Sequence, residues 1–129
     1  VPGSSNLLLL AADIEVVGID EAQFFDDGLP EVCEQLAAQG VRVIAAGLDM
    51  DYQGRPFGPM PRLMAMAEFV TKVHAICVRC GELATFSHRT HASTHLIHLG
   101  ETESYIPLCR TCFMEARVEQ AQQAESAER

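Results

Sequence analysis

Two apolar runs, Ile14 to Ile19 and Val41 to Leu48, are short, continuous and rich in β-branched residues, the pattern of strands buried on both faces. Between them the apolar positions change period. Leu29, Val32, Cys33 and Leu36 recur at helical spacing, Pro30 suits a first turn, and Gly40 supplies a stop. Ser4 and Ser5 can cap a short helix through Leu7 to Ala12. Downstream, "RLMAMAEF" reads as a helix and "TKVHAIC" as a third strand running into Cys77. Strands alternating with helix-length spacers imply an α/β domain whose parallel strands are joined by right-handed crossovers. Ligands of such sheets gather beyond the carboxyl ends of the strands, where Asp20, Glu21 and Asp49 fall.

After Cys77 the pattern breaks up. Residues 81–108 alternate in short segments with turn residues and histidines, and hold too few large apolar side chains for a core of their own. The tail "EARVEQAQQAESAER" is polar with weak periodicity, and is expected to be a frayed helix or disordered. The boundaries expected from these shifts are an α/β domain over 1–76, a metal-held subdomain over 77–115 and a polar tail over 116–129. "DMDYQGRPFGP" is dense in Gly and Pro, so it is a shaped connection and not a linker.

The 129 residues carry a formal charge of −9, which disfavours a nucleic-acid backbone or an anionic membrane as main partner. "NLLLLAA" is too short to span a bilayer and lacks the basic flank of a signal peptide, so a cytoplasmic setting is expected. There, five cysteines are better read as thiols or metal ligands than as disulfides. "CVRC" (Cys77, Cys80) and "CRTC" (Cys109, Cys112) are two C-x-x-C knuckles, the spacing of a tetrahedral four-thiolate zinc site. Such a site is closed, so its zinc would be structural. Cys33, on the apolar face of its helix, is expected to pack in the core.

"GIDEAQFF", "AAGLDMDYQGRPFG", "AICVRCGELATFSHR" and "YIPLCRTC", in that order, resemble type II thymidine kinase, the zinc-containing kind with a P-loop-type α/β domain. The resemblance implies transfer of a phosphoryl group from ATP, with Mg²⁺, to the 5′-hydroxyl of thymidine or deoxyuridine, for salvage into DNA synthesis. It implies that Glu21 is the general base and that Asp20 is the acid holding magnesium, with Ala22 and Gln23 in the segment bordering the nucleotide phosphates. The adjacent acids would thereby divide their work, one toward a cation and one toward a hydroxyl proton. It further implies that Phe24, Leu48, Tyr52 and Phe57 line the thymidine pocket and that Ser87 lies beside the 5-methyl group. "SHRTHASTHLIHLGETESY" matches the lasso segment, in which the backbone of Leu96, Ile97, His98, Leu99 and Gly100 would read the base edge and Tyr105 would close against it. No Asn or Gln lies between the knuckles to read a base by side chain. dTTP as feedback inhibitor and a homotetramer are also implied.

The family opens with a strand and a glycine-rich phosphate loop ending Gly-Lys-Ser/Thr. The only lysine here is Lys72, in "FVTKVHA", with no glycine ahead of it and no Ser or Thr after it. That opening region is therefore expected to be absent before Val1, and the 129 residues are expected neither to catalyse nor to fold stably alone. Two other readings stay open: a non-catalytic zinc-ribbon module binding a protein or single-stranded nucleic acid, and a P-loop enzyme of another substrate class.

Overall fold

The computed structural model describes residues 3–10, 13–90 and 104–127. The chain divides into two compact units, one formed by Val1–Asp51 with Arg55–Thr71 and the other by Tyr52–Gly54 with Lys72–Arg129.

In the first unit, helix α1 (Ser5–Leu10), strand β1 (Val16–Ile19), helix α2 (Leu29–Ala38), strand β2 (Arg42–Ala45) and helix α3 (Met60–Met66) follow in order. β1 and β2 pair in parallel, Val16 opposite Arg42 through Ile19 opposite Ala45. The α2 reading holds in detail. Pro30 lies in its first turn, and Val32 and Leu36 are buried. Gly40, at φ 89°, takes the left-handed conformation that ends the helix. There the Val41 N–H donates to the Leu36 carbonyl and the Gly40 N–H to Ala37, the paired bonds of a Schellman stop. One face of the strand pair is apolar and covered: Ile19, Ala22, Leu29 and Met60 form a core joined by Leu7, Val17, Val43 and Leu63. Val32 and Leu36 form a second cluster against Val17, Val41 and Val43.

Four expectations need correction here. The strands are not buried on both faces, because Val16 and Ile44 point away from the helices and are exposed. Both strands are shorter than expected. β2 stops at Ala45 because the next residues turn their backbone toward the segment after β1: Ala46 accepts the Ala22 N–H, and the Leu48 N–H reaches Gln23. α1 begins at Ser5 and α3 runs over Met60–Met66, earlier than the periodicity suggested. Ser4 is held by Asp26, which accepts its N–H at 3.2 Å, and the expected end of α1 at Ala12 lies outside the described residues. Finally, no third parallel strand forms over Thr71–Cys77. Only Ala75–Ile76 (β3) is extended and paired, and it runs antiparallel to β4 (Leu83–Ala84). A strand is stable when its backbone groups have a partner. Phe69 and Val73, 93% and 89% exposed, have no strand beside them among the described residues.

The second unit adds the antiparallel pair β5 (Phe86–Arg89) and β6 (Tyr105–Leu108), and helix α4 (Arg110–Ala127). Ala84, Phe86 and Leu108 are buried together with Cys112, Phe113 and Ala116, a small core that residues 81–108 make only with α4. The Phe86 and Phe113 rings stack with centroids 4.3 Å apart and planes nearly parallel. As far as Ala127 the polar tail continues α4, and Gln120 ties it down by donating to the Arg89 carbonyl at 3.1 Å.

Candidate functional site

The first unit presents an acidic turn at the carboxyl end of its strands. β1 ends at Ile19, Asp20 and Glu21 follow, and a single 3₁₀ turn covers Ala22–Phe24. Glu21 sits at φ 52°, ψ 44°, the only described non-glycine residue in the left-handed region, a conformation that costs energy and clusters at functional sites. Its N–H donates to Asp20 Oδ1 at 2.9 Å, and both acids face solvent. Ala22 is fully buried, with its N–H on the Ala46 carbonyl at 3.0 Å. Gln23 is 2% exposed, and its side chain lies between Glu21 and Leu48.

Phe24 closes the turn and meets Phe57 edge to face, ring centroids 5.5 Å apart. The Phe57 N–H donates to the Asp49 carbonyl at 3.0 Å, and the Asp51 N–H to the Arg55 carbonyl at 2.9 Å, so the Gly/Pro loop is a shaped hairpin, as its composition implied. Phe24 and Leu48 are each about half exposed (52% and 49%), apolar surface beside acids. The structure thus brings Asp20, Glu21, Gln23, Leu48, Phe24 and Phe57 into one unit.

Tyr52, Ser87 and Tyr105 lie in the second unit. Tyr52 is exposed, with the Arg89 guanidinium 5.3 Å over its ring. Arg89 is the cross-strand partner of Tyr105, so those two side chains share a face, while Ser87 pairs with Pro107. The sequence reading missed Arg89; the aromatics near it in the fold are far from it along the chain. Leu96, Ile97, His98, Leu99 and Gly100 lie outside the described residues.

The four cysteines converge in that unit. The Sγ atoms of Cys77, Cys80, Cys109 and Cys112 all lie within 4.8 Å of one another, and Cys80 and Cys109 are 3.5 Å apart. Four sulfurs each about 2.3 Å from one tetrahedral zinc would be about 3.8 Å apart, so the donor set fits. Each knuckle is a tight turn with bonds of its own: Gly81 N–H to Cys77 carbonyl at 2.9 Å, and Cys112 N–H to Cys109 Sγ at 3.5 Å. Val78 N–H to the Pro107 carbonyl at 3.2 Å joins the hairpin to β6, just ahead of the second knuckle. The thiols are unlike one another. Burial works against ionisation of Cys77, but backbone hydrogen bonds at Cys109, Cys80 and Arg79 outweigh it and bring its pKa down to about 6. Cys112 is pushed up to about 12, first by its hydrogen bond with Cys109 and then by burial. Cys80 is raised: a backbone hydrogen bond at Glu82 lowers it, but the Cys109 sulfur and burial prevail. One thiolate is favoured at Cys77 while Cys80 and Cys112 hold their protons more tightly, a cluster that a divalent cation would neutralise. Cys33 stands apart, its thiol pushed up by burial, as core packing requires.

The family model described as thymidine kinase matches residues 5–113. The chain is 61% identical over 122 residues to a thymidine kinase of Bacteroides thetaiotaomicron, covering 95% of this chain and 61% of that protein. It is 60% identical over 113 residues to a thymidine kinase of Porphyromonas gingivalis, covering 88% of this chain and 55% of that protein. With one from a Rhodothermus species the identity is 53% over 117 residues, covering 91% of this chain and 55% of that protein. The chain therefore spans little more than half the length of these relatives. Over the part they share, the acidic turn, the aromatic loop and the four-cysteine cluster fall within the matched region, and the chain belongs to the thymidine kinase family.

Proposed function

We propose that these residues supply the nucleoside-binding and proton-accepting part of an ATP-dependent thymidine kinase. The observation that carries this reading is the Glu21 carboxylate, held on a turn in the left-handed conformation at a strand end, with Phe24 of the same turn packed on Phe57. A pyrimidine needs planar apolar partners, and Phe24, Phe57 and Leu48 offer them. Tyr52, Ser87, Tyr105 and the backbone of Leu96 to Gly100 would complete its recognition.

In the reaction, the 5′-hydroxyl oxygen of thymidine attacks the γ-phosphorus of ATP, the bond to the bridging oxygen breaks, and ADP leaves. The hydroxyl proton passes to Glu21. Asp20, an exposed carboxylate one residue away, would hold Mg²⁺, which neutralises charge on the phosphates when bound. The product is dTMP, and deoxyuridine would serve as an alternative acceptor. No glycine-rich loop ending in Gly-Lys-Ser/Thr occurs among these 129 residues, so by themselves they would not transfer phosphate. dTTP would inhibit, the working assembly would be a homotetramer, and the setting would be the cytoplasm. Among the described residues no helix is long and apolar enough to cross a membrane. The zinc held by Cys77, Cys80, Cys109 and Cys112 would take no part in the chemistry, since its four positions are filled by sulfur.

The test is Glu21→Gln in the full-length protein. Turnover should fall about 10²–10⁴-fold with thymidine affinity nearly unchanged. Loss of thymidine binding together with turnover, or survival of turnover, would overturn the assignment.

A further inference from the structure

Gln23 has both ends of its side chain occupied inside the protein. Its Nε2 donates to Glu21 Oε2 at 2.5 Å, and its Oε1 accepts the Leu48 N–H at 3.1 Å. The residue is buried, 2% exposed, with two glycines close against it. A Cβ on Gly47 would come within 2.8 Å of Gln23 Oε1, and one on Gly58 within 2.4 Å of the Gln23 carbonyl oxygen. Ala22, the preceding residue, is pinned to the Ala46 carbonyl. The lack of a side chain at Gly47 thus makes room for the Gln23 side-chain amide, and at Gly58 for the Gln23 backbone carbonyl.

Glu21, by contrast, is exposed and has three rotatable side-chain bonds, so on its own its carboxylate would wander. The amide from Gln23 fixes one carboxylate oxygen and leaves the other to face a substrate. We propose that Gln23 is the positioning residue for the Glu21 carboxylate, and that the chain Leu48 N–H, Gln23, Glu21 ties the orientation of the proton acceptor to the loop after β2. Leu48 is also an expected wall of the pyrimidine pocket, so seating of the base and aiming of the carboxylate share one rigid link. This rests on the reading of Glu21 as general base.

Gln23→Met keeps the length of the side chain and removes both hydrogen bonds. In the full-length protein it should lower kcat about 10–100-fold, the cost of a misplaced reacting group, while KM for thymidine changes less than about threefold. In a Glu21→Gln background the same substitution should change the residual kcat by less than about twofold, since nothing is left to position. Equal losses in both backgrounds, or a rise in KM without loss of kcat, would overturn the proposal. If Glu21→Gln alone left turnover intact, it is the general-base assignment that fails. A direct reading uses the Gln23 side-chain amide signals in ¹H–¹⁵N spectra of the full-length protein, which stands even if Gln23→Met does not fold. Glu21→Ala should shift those signals and speed their exchange with solvent, and unchanged signals would refute the bond.

Discussion

Phe113→Ala sets the aromatic core of the second unit against its metal. Phe113 is 2% exposed, stacked on Phe86 at 4.3 Å, met edge-on by His88 at 6.0 Å and overlaid by the Arg117 guanidinium at 5.6 Å. Truncating a buried Phe to Ala costs about 3–5 kcal/mol, and losing the ring stack belongs to the upper part of that range. Structural zinc on four thiolates contributes more, about 10–16 kcal/mol at neutral pH in small domains. The metal should therefore dominate. In the full-length protein with zinc bound, Phe113→Ala should melt earlier yet keep α4 folded, whereas the unaltered full-length protein treated with a strong chelator should lose the backbone amide signals of β3 to β6 and α4. Cobalt(II) refilling should restore them with the visible absorption of a tetrahedral four-sulfur site. Survival of the unaltered unit under full chelation, with unfolding of zinc-loaded Phe113→Ala, would show that the core and not the metal holds it.

Three further outcomes are expected. Gly58→Ala should destabilise the first unit, since φ 51° costs about 1–2 kcal/mol for a side-chain-bearing residue. Relieving its contact with the Gln23 carbonyl adds about 1–3 kcal/mol, so chemical denaturation should show a clear loss, and a neutral substitution would contradict that contact. Asp26 is held below the usual carboxylate range by hydrogen bonds from the Ser4 hydroxyl and N–H, with the Gly28 N–H adding to them. Its contribution is therefore present above the ordinary value near 3.9 and lost as pH falls through the lower folded one, so Asp26→Asn should differ from the parent at neutral pH and converge with it in acid, in melts across pH. His88 is lowered by burial and by the charge of Arg79, with Glu119 partly opposing. A folded value below the ordinary one, about 6.5, means stability is complete above that pH and declines as pH drops toward the folded value. In zinc-loaded protein, His88→Gln should flatten that decline, and an unchanged profile would remove His88 as its source.

The parts of the fold visible in the sequence were those fixed by local chemistry. Proline and glycine at the two ends of α2 marked its limits, and two C-x-x-C knuckles marked a metal cluster whatever lay between them. The acid pair at the end of β1 was equally plain, because two adjacent carboxylates close an apolar run. What stayed hidden depended on partners far along the chain. Thr71 to Cys77 has a strand's composition, yet only two of its residues pair, and they pair with the hairpin that the first knuckle folds back. The core of the second unit was missed because Phe86 and Phe113 are separated by polar sequence and meet only through β6 and α4. The tail looked unsupported because its anchors, Gln120 on the Arg89 carbonyl and Arg117 over Phe113, follow no helical apolar repeat. Gln23 was legible as a member of the acidic turn, but its role needs the Leu48 N–H and the two glycines around it.

The central claim, that Glu21 accepts the proton of a nucleoside alcohol, is tested most directly by a crystal structure of the full-length protein with thymidine bound. The account predicts the ribose 5′-oxygen within about 2.6–3.2 Å of a Glu21 carboxylate oxygen, with the pyrimidine against Phe24 and Phe57. A thymidine whose ribose end points away from residue 21 would contradict it.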